Sequence, residues 1–167
     1  MMEKRALFSS FVSQVRANHS DSDAKPTLLR PPYNQDESLF HKACSECDAL
    51  CAKVCEEDII VIMDDKTPQL NLLKSGCTYC DKCAEVCEPN VLTVEDRHNI
   101  KAKVTIDKNK CMSWHNVMCF SCKEPCLDDA IVFKSLFEPL IVLDKCTACG
   151  FCIGRCPSDA INVEIVA

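Results

Sequence analysis

A chain of 167 residues with 16 cysteines but only one tryptophan, two tyrosines and seven phenylalanines has too few bulky side chains to fill a conventional core, so something else must occupy its centre. Its formal net charge of −6 argues against a nucleic-acid ligand, which calls for a basic surface. The densest apolar runs, Ile59–Met63 and Leu140–Leu143, fall far below the roughly 18 to 20 residues of a membrane helix, so a soluble chain without a membrane span is expected.

Residues 1–40 hold no cysteine and read as an N-terminal arm. Leu7, Phe8, Phe11, Val12 and Val15 recur on one face, which predicts an amphipathic helix from about Glu3 to Ala17. Such a face needs a partner, either the body of the chain or another protein. Lys4 and Arg5 precede it, but Ser9, Ser10, Ser13, Gln14 and Arg16 interrupt any hydrophobic export region, so the chain reads as cytoplasmic. Asn18 to Ala24 is polar and loop-like. Pro26, Pro31 and Pro32 then keep the next stretch extended, a strap over Leu28 to Pro32.

Four cysteine quartets follow. The first is Cys44, Cys47, Cys51 and Cys55, one residue longer than standard between its second and third members. The second, Cys77, Cys80, Cys83 and Cys87, has the standard spacing, with Glu88 where a proline is usual and Pro89 one step later. The third is irregular: Cys111, a long insertion, then Cys119, Cys122 and Cys126. The fourth, Cys146, Cys149, Cys152 and Cys156 followed by Pro157, is a complete C-x-x-C-x-x-C-x-x-x-C-P run.

That spacing lets three thiolates curl around three irons of a cubane while the fourth reaches a second cluster. A zinc site would want two C-x-x-C pairs, leaving the third close cysteine and the trailing Cys-Pro without a purpose. A disulfide framework would call for a secretory leader, and the first twenty residues show no continuous apolar stretch. Four [4Fe-4S] clusters are expected, the Cys111, Cys119, Cys122 and Cys126 set being the irregular site.

After every fourth cysteine come three residues and then a small or branched apolar pair: Ile59-Ile60, Val91-Leu92, Ala130-Ile131 and Ala160-Ile161. The chain is thus a four-unit internal repeat. Short branched runs over Ile59–Met63, Val91–Val94, Ile131–Phe133 and Ile161–Ile165 predict strands, as do Val104–Ile106 and Leu140–Leu143. The fold class expected is α+β: tandem bacterial-type 2[4Fe-4S] ferredoxin modules over residues 41–98 and 99–167, built of short hairpins and short helices. Adjacent quartets pairing is the default, which would group Cys87 with Cys44, Cys47 and Cys51, and Cys156 with Cys111, Cys119 and Cys122. A nested arrangement, first quartet with fourth and second with third, stays open.

Within the third insertion, His115 could replace a thiolate, although four cysteines are already present. Tyr79, Phe120 and Phe151 each adjoin a quartet cysteine, where a ring most simply excludes water. No nucleophile–base pair, phosphate loop or open catalytic metal site can be picked out, so the chain does not read as an enzyme.

Ahead of Cys44, Arg30-Pro31-Pro32-Tyr33 and Asp36-Glu37-Ser38-Leu39-Phe40 look like the Arg-Pro-Pro-aromatic and Asp-Glu-Ser-x-Phe segments of a known family. With the four quartets and the long interval after Cys111, the whole chain resembles the NapF family, ferredoxin-type proteins of periplasmic nitrate reductase systems. The resemblance implies a cytoplasmic iron–sulfur protein that binds the precursor of the catalytic nitrate reductase subunit and helps complete its cluster before export. The alternative is a general electron carrier serving a redox partner protein.

Overall fold

Most strands form here where β-branched residues gather and find an antiparallel partner. In the computed structural model, which describes residues 28–166, β1 (Ile60–Ile62) pairs with β2 (Pro68–Leu70). Asp65 organises the turn between them: its carboxylate accepts the amide and the hydroxyl of Thr67 at 3.0 and 2.7 Å. A second hairpin joins β4 (Ile131–Lys134) to β5 (Phe137–Ile141), with Ser135 at a φ of 58° in the turn. The remaining pair is not local: β3 (Ala102–Ile106) lies against β6 (Ile161–Ile165), Ala102 opposite Ile165 and Ile106 opposite Ile161.

The strand expected over Ile161–Ile165 is present with those bounds, and those over Ile59–Met63, Ile131–Phe133 and Val104–Ile106 are present with shifted ends. That at Leu140–Leu143 starts earlier, at Phe137, and stops at Ile141. Val91–Val94 is not a strand. The amide of Thr93 is taken by the carbonyl of Tyr33 at 2.9 Å, and Val91 and Leu92 are buried in an irregular run. The helix expected over residues 3–17 lies outside the described residues.

The helices α1 (Ser38–Ala43), α2 (Leu50–Lys53) and α3 (Lys82–Glu85) are one or two turns long, too short to persist without tertiary support. Each of α2 and α3 follows a residue with positive φ, Ala49 at 54° and Asp81 at 65°. Gly150, at 94°, holds the same place in the fourth quartet. All three stand two residues before a third cysteine, so Cys51, Cys83 and Cys152 are carried inward by a common turn.

The strap belongs to the packed body. Pro31, Pro32, Tyr33 and Phe40 are almost fully buried, and Tyr33 and Phe40 join Ala84, Val91 and Leu92 in one apolar cluster. The guanidinium of Arg30 lies 4.7 Å from the centre of the Phe40 ring and donates to Thr67 Oγ1 and the Pro68 carbonyl, at 2.8 and 2.6 Å. A larger cluster draws on both halves of the chain, with Ile59, Ile60, Leu70 and Leu72 meeting Ile100, Val104, Ile131 and Ile161.

Candidate iron–sulfur cluster sites

Each fourth cysteine opens the same turn. Three residues on, Asp58, Asn90, Asp129 and Asp159 have φ of 52°, 53°, 48° and 48°. Their amides bond back to the carbonyls of Cys55, Cys87, Cys126 and Cys156 at 3.1, 2.9, 3.3 and 3.4 Å. Asp and Asn tolerate this left-handed conformation better than other non-glycine residues. The turn drops the following pair into the core, and all eight residues of the four pairs are buried.

The same turn aims a backbone donor at sulfur. Leu92 donates to Cys87 Sγ at 3.3 Å, Ala130 to Cys126 Sγ at 3.3 Å and Ala160 to Cys156 Sγ at 3.2 Å. Tyr79 donates its amide to Cys77 Sγ at 3.4 Å. In a bound cluster, donors of this kind would stabilise the negative charge on sulfur. Sequence reading found the apolar pair but missed the Asp or Asn before it. The signal was the same residue type at the third place after every quartet.

All sixteen cysteines are free, and their thiols gather in four groups. Cys51 is pushed up to about 11 by burial and then by its neighbours Cys87, Cys47 and Cys44. Burial likewise pushes Cys83 up to about 12, reinforced by Cys77, Cys51, Cys80 and Cys55. Around Cys122, pushed up to about 11, burial acts with Cys111, Cys156 and Cys119. Around Cys152, pushed up to about 12, it acts with Cys149, Cys122, Cys146 and Cys126. The groups are therefore Cys44, Cys47, Cys51 and Cys87; Cys55, Cys77, Cys80 and Cys83; Cys111, Cys119, Cys122 and Cys156; and Cys126, Cys146, Cys149 and Cys152. Each fourth cysteine stands in the group of the neighbouring quartet.

Buried thiols that repel one another as thiolates stay protonated near neutral pH unless a cationic core reverses the balance. Among the described residues no three His, Cys, Asp or Glu side chains converge tightly enough to hold a single metal ion. A lone zinc, with bonds of about 2.3 Å in a tetrahedron, would draw its sulfurs to about 3.8 Å from one another. Four thiols per group is the number that a [4Fe-4S] cluster takes from its protein.

The insertion in the third quartet folds as a short 3-10 turn, Met112–His115, which leaves Cys111 with Cys119 and Cys122 despite the long gap. Trp114 anchors it, donating Nε1–H to the Pro139 carbonyl at 3.3 Å beneath the ammonium of Lys108. His115 is exposed, with Nε2 2.9 Å from the carbonyl oxygen of Asn109, and so stands as a loop side chain rather than a replacement ligand. Ser113, two residues from Cys111, keeps a buried hydroxyl with no protein partner, a donor that an acceptor within the site could satisfy. Phe120 packs on Phe133 with ring centres 4.8 Å apart.

Residues 139–162 match the family described as a 4Fe-4S binding domain. The chain is 30% identical over 140 residues to the ferredoxin-type protein NapF of Escherichia coli (strain K12), across 81% of this chain and 84% of that protein. It is 32% identical over 140 residues to the ferredoxin-type protein NapF of Haemophilus influenzae, across 81% and 78%. The ferredoxin-type protein NapG of Escherichia coli (strain K12) is 27% identical over 167 residues, across 86% of this chain and 72% of that protein.

Proposed function

The chain belongs to the NapF family of ferredoxin-type proteins, and from that premise we propose that it is a cytoplasmic polyferredoxin that binds the precursor of the nitrate reductase catalytic subunit and assists its iron–sulfur maturation before export. As an iron–sulfur electron-transfer protein it would hold four [4Fe-4S] clusters, one in each thiol group, arranged as two tandem modules. The gathering of sixteen free thiols into four groups of four carries this reading.

A cluster held in such a group accepts and releases single electrons without breaking bonds to the protein. The chain's own part is to exclude water and to set the charge around the sulfurs. Buried pairs such as Ala160-Ile161 do the first, and the amides of Leu92, Ala130 and Ala160 do the second.

Recognition of a partner is assigned to the residues ahead of the strap. Pro31, Pro32, Tyr33 and Phe40 are committed to the core, which leaves the apolar residues Leu7, Phe8, Phe11, Val12 and Val15 as the candidate contact. No helix of the described residues is long and apolar enough to cross a membrane. A second reading, a general carrier feeding a reductase, is favoured by Cys80, whose exposure opens its group to outside electron exchange.

Deleting residues 1–27 tests the choice. The shortened protein should retain its iron, because the strap remains, yet capture less nitrate reductase precursor from cytoplasm than the full chain. Unchanged iron and unchanged capture would move recognition onto the body; loss of iron would make the arm part of the core.

A further inference from the structure

The chain contains only three glycines, and all three lie where its halves touch. A Cβ on Gly76 would come within 2.5 Å of the Phe151 amide nitrogen and 2.7 Å of the Cys149 carbonyl oxygen. One on Gly154 would meet the Leu73 carbonyl oxygen at 2.6 Å, and one on Gly150, whose φ is 94°, would meet the Leu72 side chain at 2.8 Å. At Gly76 and Gly154 backbone therefore packs on backbone, and at Gly150 it packs on the Leu72 side chain, closer in each case than a Cβ would permit.

Hydrogen bonds fix the register of this seam. The Cys77 amide donates to the Cys149 carbonyl at 2.7 Å. Tyr79 spans it: its hydroxyl donates to the Thr147 carbonyl and accepts the Ile100 amide at 3.1 Å. Tyr79 does so at a φ of 54°, a conformation that costs a bulky residue energy and persists only where surrounding contacts impose it.

The seam joins two particular thiol groups. Cys77 stands beside Cys149, as Cys51 stands beside Cys83 and Cys122 beside Cys152. In space the groups therefore run from that of Cys44 to that of Cys77, then to that of Cys149, and last to that of Cys111. This is not the order of the quartets along the chain.

We propose that the glycine seam is the electron crossing between the halves, with Gly76 and Tyr79 as the positioning residues that make four sites one path. The inference rests on the four-cluster reading above. With clusters bound, the residues of the Cys77 group and of the Cys149 group would hold the two that exchange one electron across the seam, one oxidised as the other is reduced. No bond forms or breaks and no proton moves. Dithionite serves as the reductant in the test.

The test uses the full-length protein, reconstituted without oxygen. About 16 irons per chain establishes the four-cluster reading; a markedly lower count overturns that reading, and this inference with it. Given full iron, the fully reduced wild type should show, by low-temperature electron paramagnetic resonance, a magnetic interaction linking the two halves. Gly76→Ala drives a methyl into the seam and should abolish that link while leaving the interactions within each half. Tyr79→Phe keeps the ring, loses both hydroxyl bonds and should weaken it.

A full-iron Gly76→Ala protein with an undiminished interaction between the halves overturns the proposal. If Gly76→Ala fails to fold or to hold iron, Tyr79→Phe decides. A weakened interaction at full iron supports the crossing, and an unchanged one overturns it.

Discussion

Asn34 donates its side-chain amide to the Val91 carbonyl at 2.6 Å, with both residues buried. This bond pins the end of the strap to the irregular run that follows the second quartet. Asn34→Ala should leave the Val91 carbonyl without its donor and lower stability by about 1–3 kcal/mol. Chemical denaturation of the iron-loaded protein, read at the midpoint, checks it; an unchanged midpoint would mean that water replaces the bond without cost.

Cys156 lies in the loop of the fourth quartet, yet its thiol neighbours Cys122 of the third. Cys156→Ser should therefore damage the site of Cys111, Cys119 and Cys122 and spare that of Cys146, Cys149 and Cys152. Iron should fall from about 16 toward about 12 per chain. Spectra showing the Cys44 site disturbed instead would favour the nested arrangement.

Asp159 holds the left-handed turn that buries Ala160 and directs its amide at Cys156. Asp159→Gly should be near neutral, since glycine adopts this conformation freely. Asp159→Val should cost about 1–2 kcal/mol, because valine is β-branched and lacks the short polar side chain that lets aspartate tolerate a left-handed conformation. Equal midpoints for the two variants would remove backbone conformation as the reason for the residue.

Burial, with Asp81 hydrogen-bonded beside it, holds the Tyr33 phenol well above the ordinary tyrosine range. The unfolded chain ionises at about 10, while the folded chain keeps its proton. Tyr33 therefore contributes full stability below that pH and progressively less as pH rises above it. Tyr33→Phe should flatten the alkaline fall in the denaturation midpoint between pH values on either side of 10. A wild-type and variant slope that coincide would contradict this.

Much of the local architecture was legible in the residues. Branched runs such as Ile161–Ile165 need only their own composition to favour extension, and the repeated apolar pair after each quartet announced a repeated burial. What escaped were relations between distant residues. Val91–Val94 has the composition of a strand, but Tyr33 claims the Thr93 amide, a capture from sixty residues upstream that no local pattern reveals. The prolines showed an extended strap but not what it packs against, and Arg30 stacking on Phe40 is a contact that composition does not announce. The choice between adjacent and nested quartets stayed open because connecting segments of similar length allow either. Gly76, Gly150 and Gly154 look like ordinary loop residues until the atoms facing each one are known.

The pairing of β3 with β6, and the place of Cys156 among the third quartet's thiols, bear on how the protein is made. Translation delivers Cys111, Cys119 and Cys122 first, and the fourth member of their group follows roughly thirty residues later. At about 5–20 residues per second, the trio spends a few seconds outside the ribosome as an incomplete claw, open to oxygen and to stray metal ions. Cys44, Cys47 and Cys51 wait similarly for Cys87, but their half can finish its hairpin β1–β2 while the second half is still being synthesised. Biogenesis should thus run from the first half to the second, and the irregular set around Cys111 should be the one most often damaged when iron supply lags behind translation.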